Sequence, residues 1–260
     1  NMILAHCDEK ERERTEALMK PVLRGRDIEK WRYKWADLWL INTYAGWTKE
    51  QFKSDYEANF KKYFPSLYNY LISKSNIKNK DGQNIFSRPS QGDFWWEVPT
   101  SKNIVREFEK EKIVWQEIVR EPSFAYDNTN IYCEATSFIM TGNNLKYILG
   151  LLNSQPVTFF FKKYYTGGGL GNEGYRYKKA FLEQLPIPPI TPYNQHIAQE
   201  IEKRVDEILS LTQSSDYEQN TEKQQKVRVL EEQINELVYK LYTLTEEEIQ
   251  LIKGECVPCI

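Results

Sequence analysis

Cysteine and histidine are scarce in this chain, with four Cys and two His among 260 residues. Four cysteines cannot staple a chain of this length, so a disulfide scaffold is excluded and a reducing cytoplasm is the default expectation. Cys256 and Cys259 form a Cys-x-x-Cys pair, but a zinc site needs two further ligands. The other candidates, Cys7, Cys133, His6 and His196, are scattered along the sequence, so no metal site is expected. Long apolar runs are absent too: no window of about 18 apolar residues exists, and no transmembrane helix is expected. The first fourteen residues lack the apolar core of a signal peptide. No P-loop, kinase motif or zinc-protease helix occurs, and neither histidine stands beside a Ser or Cys motif. Nucleophilic and acid–base catalysis are therefore unsupported, and no catalytic residue is assigned. No internal repeat is found.

Aromatic residues and charge are plentiful. Seven Trp, 17 Tyr and 12 Phe make up 14% of the chain, and hydrophobic residues 40%, which excludes a disordered or low-complexity polypeptide. The net charge of −2 hides an asymmetry. Residues 1–192 carry 28 Lys/Arg against 23 Asp/Glu, a net +5; residues 193–260 carry 7 against 14, a net −7. A mildly basic body carries an acidic tail, and the question of an anionic partner belongs to the body alone.

The periodicity predicts an α+β body followed by helices. Residues 8–20 are charged and helix-forming, and Pro21 ends that segment. Leu38 to Ile41 reads as a short buried strand. Residues 49–75 are helical, with Pro65 opening a second helix. Residues 94–98 and 112–118 read as strands rich in β-branched and aromatic residues, with more short strands near 123–126, 131–133 and 136–141. Asn143 is a plausible N-cap for a helix over 143–153, and Pro156 opens the next helix, over 156–164. In the tail, Ile197, Ile201, Val205, Ile208 and Leu209 form one apolar stripe. Leu230, Ile234, Leu237, Val238 and Leu241 form a second. Two such stripes pair most simply as an antiparallel helical hairpin, and Thr245 with Glu248 is a capping box for a last helix.

Gly169-Leu170-Gly171-Asn172-Glu173-Gly174 fits the Gly-x-Gly-x-x-Gly pattern, but the context that pattern needs is missing. A Phe-rich helical segment precedes it, and no βαβ unit follows. A glycine loop flanked by cations, able to bring backbone close to a phosphate, is the better reading. Two cationic–aromatic clusters stand out. Lys20, Arg24, Arg26, Lys30, Arg32 and Lys34 interleave with Trp31, Tyr33 and Trp35. Lys162, Lys163, Arg176, Lys178 and Lys179 flank the glycine loop together with Tyr164, Tyr165, Tyr175 and Tyr177. Cations position phosphates, while Arg, Lys, Asn, Gln and aromatics read bases. The same clusters also suit an ordinary charged surface over an aromatic core.

Several segments in order resemble one family. Met19 to Ile28 (MKPVLRGRDI) resembles the opening of the TaqI-like specificity domain, found in adenine-specific DNA methyltransferases and type IIG restriction-modification enzymes. Lys112 to Ile118 (KIVWQEI) is similar to the family's PKIVYQEI strand, with Glu111 in place of the usual Pro. Leu149 to Ser154 (LGLLNS) is similar to its LLGILNS helix, and Leu182 to Pro188 (LEQLPIP) to its exit segment. Ile234 to Thr245 is similar to a helix shared with type I specificity subunits.

The resemblance implies a target recognition domain over residues 1–192, a mixed small sheet with packed helices. A C-terminal antiparallel helical hairpin or scaffold would follow over 193–260. It implies double-stranded DNA as partner. It also implies an N-terminal methyltransferase domain of the same parent chain that binds S-adenosylmethionine and methylates a flipped adenine. No Asn-Pro-Pro-Tyr or Asp-Pro-Pro-Tyr motif occurs in this sequence, so the fragment itself would not catalyse and would hold no cofactor. Arg24 and Arg26, around the Gly25 turn, are the first candidates for DNA contact, with Lys30, Arg32 and Lys34 as backbone clamps. Arg26 pairing with Asp27 to seat the turn is an equal alternative. Lys162, Lys163, Tyr175, Arg176, Tyr177, Lys178 and Lys179 would form a second contact surface, and Arg88 lies on a polar loop that could read bases. Trp95, Trp96 and Trp115 are expected in the core. Rival readings are the recognition domain of a type I specificity subunit and a non-DNA interaction scaffold.

Overall fold

In the computed structural model, residues 2–165 and 174–254 are described. The chain is α+β and divides into two compact units, each built from separated stretches of sequence. The first unit takes residues 1–22, 37–110 and 130–132; the second takes 23–36, 111–129 and 133–260.

The first unit opens with α1 (Glu9–Leu18), capped by Asp8, whose side chain accepts from the Glu11 amide. Acidic Glu9 and Glu11 in its first turn suit the positive end of the helix. Strand β1 (Met19–Leu23) follows and pairs antiparallel with β2 (Trp39–Ile41), setting Met19 opposite Ile41 and Pro21 opposite Trp39. Strand β2 is an edge, and Trp39 is 46% exposed. The strand expected here is therefore present but not buried. Helices α2 (Trp47–Gln51), α3 (Tyr56–Tyr63), α4 (Pro65–Ser73) and α5 (Lys102–Phe108) complete the unit. Pro65 starts α4 as expected, since the first helical position needs no N–H. The exposed donors there are met by buried Glu11, which accepts from the Ser66 and Leu67 amides at 2.6 and 3.3 Å.

Residues 94–98, expected as a strand, form a turn instead. The Glu97 amide donates to the Phe94 carbonyl at 2.9 Å. Strand alternation would send Phe94, Trp95 and Trp96 to opposite faces, whereas all three join one aromatic cluster with Phe60 and Trp47. Trp96 stacks on Phe60 at 4.9 Å and on Phe94 at 5.0 Å. Buried Glu97 pins the turn by accepting from the amides of Gly46, Thr48 and Asp93.

The core of the second unit is an antiparallel sheet with the strand order β5–β3–β7, where β3 is Lys112–Gln116, β5 Phe124–Asp127 and β7 Ser137–Met140. Two-residue strand β4 (Ile118–Val119) continues from β3, and β6 (Tyr132–Cys133) precedes β7. β3 is the central strand and is buried along four of its five residues, as its unbroken apolar run requires. Buried Lys112 on β3 is neutralised by Asp127 on β5, 2.5 Å away. Helix α6 (Leu145–Leu152) begins after Asn144, which adopts the left-handed conformation (φ 56°) that Asn tolerates. The cap is thus one residue later than the spacing suggested. Gly150 of α6 lets α9 (Gln195–Thr212) approach closely: a Cβ there would lie 2.5 Å from the Ile201 side chain. Between them run α7 (Gln155–Tyr164), β8 (Tyr175–Arg176) and α8 (Lys179–Leu182). Helix α9 pairs with α10 (Thr221–Leu241), burying Ile201, Val205 and Ile208 with Leu230, Ile234 and Val238. Contacts from Arg204 to Gln233 and from Lys223 to Ser214 set the antiparallel sense. The Thr245–Glu248 capping box opens α11 (Glu246–Lys253).

Candidate nucleic-acid interface

After β1 the chain makes a tight 3-10 turn over Gly25–Asp27. The Arg24 guanidinium forks onto Asp27, with Nε 2.9 Å from one carboxylate oxygen and Nη2 2.7 Å from the other. The Arg24 amide adds a bond to the same carboxylate at 3.0 Å. Hydrogen bonding from Arg24 holds the Asp27 carboxyl below the usual carboxylate range. Asp27 thus takes Arg24, not Arg26, as its partner. Arg26 projects into solvent with no hydrogen bond or ion pair among the described residues. A two-armed pair of this kind is geometrically specific and fixes the turn that presents Arg26.

Gly25 is required at this point by contact rather than by φ. Its amide donates to Thr136 Oγ1 at 3.2 Å, and a Cβ would meet the Thr136 carbonyl at 3.0 Å and Gln116 Cγ at 3.1 Å. The turn therefore sits against the end of β3. The next residues along, Glu117–Val119, receive the second cationic segment. The Tyr177 amide donates to the Glu117 carbonyl at 2.7 Å, Arg176 Nη1 lies 3.1 Å from the Glu117 carboxylate, and β4 pairs antiparallel with β8. Two cationic stretches far apart in sequence thus meet on Gln116–Val119.

The members of the second stretch have different placements. Lys178 and Lys179 are exposed, and Lys179 makes a 3.5 Å contact with Glu183. Lys163 is exposed with no ion pair among the described residues. Lys162 is half-buried, 2.9 Å from Glu121, and covers the ring of half-buried Tyr175 at 4.9 Å. Tyr177 lies in the core, 2% exposed, stacked on Phe161 at 4.0 Å, with its carbonyl accepting from Trp115 Nε1. Burial pushes its hydroxyl pKa up, and its ring cannot reach a base from there. The glycine loop itself, residues 166–173, lies outside the described residues, as do Cys256 and Cys259.

The remaining cations of the first cluster face carboxylates. Lys30 pairs with Glu231 of α10 at 2.7 Å. Arg32 bonds Glu29 at 2.8 Å and also pairs with Glu218, on the turn between α9 and α10; Lys34 bridges the same two carboxylates. At the centre, Trp31 is buried with φ 71° and donates from Nε1 to Glu231 at 2.7 Å. Two carboxylates of the acidic tail, Glu218 and Glu231, are engaged here. In the first unit, half-buried Arg88 donates to the Trp95 and Glu97 carbonyls at 3.2 and 2.6 Å, and burial lowers its pKa. It supports the 94–98 turn. Trp96 and Trp115 are core residues as expected.

Charge clustering alone does not mark Arg120. Glu117 and Glu121 dilute it in sequence, yet it is exposed directly after β4, beside the meeting point. Its signal was its place immediately after the strand segment at 112–118.

The profile of the TaqI-like C-terminal specificity domain family matches residues 20–187, and the chain belongs to that family. No curated protein matches the chain. Among solved structures, the chain is similar to the type IIG restriction endonuclease BpuSI at 12% identity and a TM-score of 0.40. That match covers 92% of this chain and 28% of the other. The chain therefore spans little more than a quarter of the BpuSI chain.

Proposed function

We propose that this chain is a duplex-DNA target recognition module. On this reading, residues 1–192 recognise DNA and residues 193–260 serve as a scaffold. The observation that carries the reading is the meeting of the Arg24–Asp27 turn and the Tyr175–Lys179 segment on Gln116–Val119, which groups Arg26, Arg120, Lys178 and Lys179 as exposed cations. Arg26 is the leading candidate for a base edge, because its turn is held rigid and its guanidinium is uncommitted. Lys178, Lys179, Lys163 and Arg120 suit phosphates. Arg24 and Arg176 act through position: each ties one segment down through a carboxylate. Lys30, Arg32 and Lys34 act as braces that tie residues 29–34 to Glu218 and Glu231 rather than as phosphate clamps.

The family also points to a larger parent: an N-terminal, S-adenosylmethionine-dependent methyltransferase domain of the same chain, for which this module would position a target adenine. The module itself would not catalyse. No helix among the described residues is long and apolar enough to cross a membrane, and a cytoplasmic parent acting on DNA fits the reading.

The test is fluorescence anisotropy with a duplex library across a salt series. Arg26→Ala should cost about 1–3 kcal/mol on the preferred sequence and relax selectivity at one position. Lys178→Ala with Lys179→Ala should weaken binding to all duplexes and flatten the salt slope by about one unit for each phosphate no longer neutralised. If neither change alters affinity or slope, the interface lies elsewhere.

A further inference from the structure

The first unit carries a second concentration of positive charge, which neither the family match nor the reading above uses. From Phe52 to Lys80 there are six lysines (Lys53, Lys61, Lys62, Lys74, Lys78 and Lys80) against Asp55 and Glu57, a net +4. None of the six forms an ion pair among the described residues. Five are fully exposed, and Lys74 is half-buried. The two carboxylates are engaged with other groups: Glu57 accepts from the Tyr68 hydroxyl at 2.8 Å and Asp55 from Ser54 at 3.2 Å. By contrast, Lys30, Arg32 and Lys34 of the first cationic cluster all face carboxylates.

Three of the lysines lie against aromatic rings. Lys61 of α3 lies 5.8 Å from the Tyr68 ring of α4, Lys62 lies 5.4 Å from the Tyr63 ring, and Lys74 lies 5.2 Å from the Tyr70 ring. Tyr63 is 41% exposed and stacks on Phe52, next to Lys53. Arg14 approaches the same ring at 5.9 Å and donates to the Tyr63 carbonyl. After α4, Asn79 closes a compact loop: its side-chain oxygen accepts from the Asp81 and Gln83 amides at 3.0 and 2.9 Å, with Gly82 at φ 76°. Lys78 and Lys80 flank Asn79 on that loop and point to solvent. The loop fixes the backbone from which those two side chains extend, so less backbone entropy is lost when they meet an anion.

We infer that the α3–α4 face and the 74–80 loop form a second, sequence-independent contact for the phosphate backbone of duplex DNA. Regularly charged phosphates suit a row of unpaired, flexible ammonium groups; base reading would call for Arg, Asn or Gln instead. The inference rests on the DNA-binding reading of the second unit, and the experiment separates the two.

The full chain would be compared with Lys61→Gln/Lys62→Gln and with Lys78→Gln/Lys80→Gln by anisotropy on two duplexes of unrelated sequence, over a salt series. Counterion release predicts a slope flatter by about 0.9 for each phosphate no longer neutralised, which at 0.15 M salt is about fivefold in affinity per phosphate. Each double variant should bind about 25-fold more weakly on both duplexes equally, with its thermal midpoint lowered by no more than a few degrees, since only exposed ring contacts are lost. Wild-type binding that falls steeply with salt while both variants retain the full slope overturns this inference and leaves the first reading standing. Weakening on one duplex only also overturns it, because the contact would then read sequence. Binding to poly-glutamate that the variants abolish, with duplex binding untouched, overturns it in favour of an acidic protein partner. A wild-type chain that fails to bind duplex at low salt overturns both readings.

Discussion

Arg32→Ala distinguishes a brace from a phosphate clamp. The Arg32 side chain is only 12% exposed and serves two carboxylates, Glu29 and Glu218. Those partners are 44% and 53% exposed, so each pair is worth about 0.2–1 kcal/mol rather than the larger figure for buried ions. The guanidinium also lies 5.3 Å from the Tyr217 ring, adding about 0.5–1 kcal/mol. Burial of the aliphatic stem brings the expected loss of stability to about 2 kcal/mol. The assay is urea unfolding followed by tryptophan fluorescence, paired with a duplex-binding salt series. A brace loses stability and keeps its salt slope under conditions where the variant is still folded. A phosphate clamp keeps its stability and loses about one unit of slope. A variant within about 0.5 kcal/mol of wild type in stability, with a flattened slope, would refute the assignment. Arg32→Lys should recover only part of the loss, because an ammonium lacks the planar guanidinium that lies over the Tyr217 ring.

Three further predictions concern the second unit. Gly25→Ala puts a methyl against the Thr136 carbonyl, which cannot rotate away, and should cost about 1–3 kcal/mol in unfolding experiments while displacing Arg26. Asp127→Ala removes the carboxylate beside the buried Lys112 ammonium and should cost about 3–5 kcal/mol, whereas Lys112→Met with Asp127→Leu should recover part of it; a single variant losing under about 1 kcal/mol would sink this. The pH dependence has a definite sign. Burial alone would raise the Asp127 pKa, but Lys112 and the Thr129 and Tyr33 hydroxyls outweigh it and hold the carboxyl below its ordinary value. Its contribution is therefore full above about pH 4 and is lost as the pH falls through the depressed native value. The stability gap between wild type and Asp127→Asn should close over that acidic range.

Periodicity made most of the helices legible, although the helix at Lys102–Phe108 was not expected and residues 49–64 divide between two helices. The stripes at Ile201–Leu209 and Leu230–Leu241, the Thr245–Glu248 box and the start at Pro65 are local signals and stand where they were expected. Residues 94–98 misled because three adjacent aromatics carry strand propensity, while a carboxylate buried beneath them, Glu97, dictates a turn. Propensity is a weak guide wherever a tertiary hydrogen-bond acceptor gathers several amides. For the site, clustering in sequence found the two cationic segments but could not sort them. Lys30, Arg32 and Lys34 look like Arg26 until the acidic turn at Glu218 is placed beside them, and Tyr177 looks like Tyr175 until Phe161 is stacked on it. Those partners are distant in the chain, so only the folded structure reveals which cations are spent.

The short stretch Gln116–Val119 has a consequence for how the module comes into being. Gly25 and Thr136, which close the turn, are 111 residues apart, and Glu117 and Arg176 are 59 apart. Neither closure is rewarded until the intervening chain has collapsed, and loop closures of that span slow the search for the native state. An emerging or clipped chain therefore displays its arginines and lysines well before they are gathered into one surface. Native-state hydrogen exchange at the Tyr177 amide, which donates to the Glu117 carbonyl, would report the assembly of that surface.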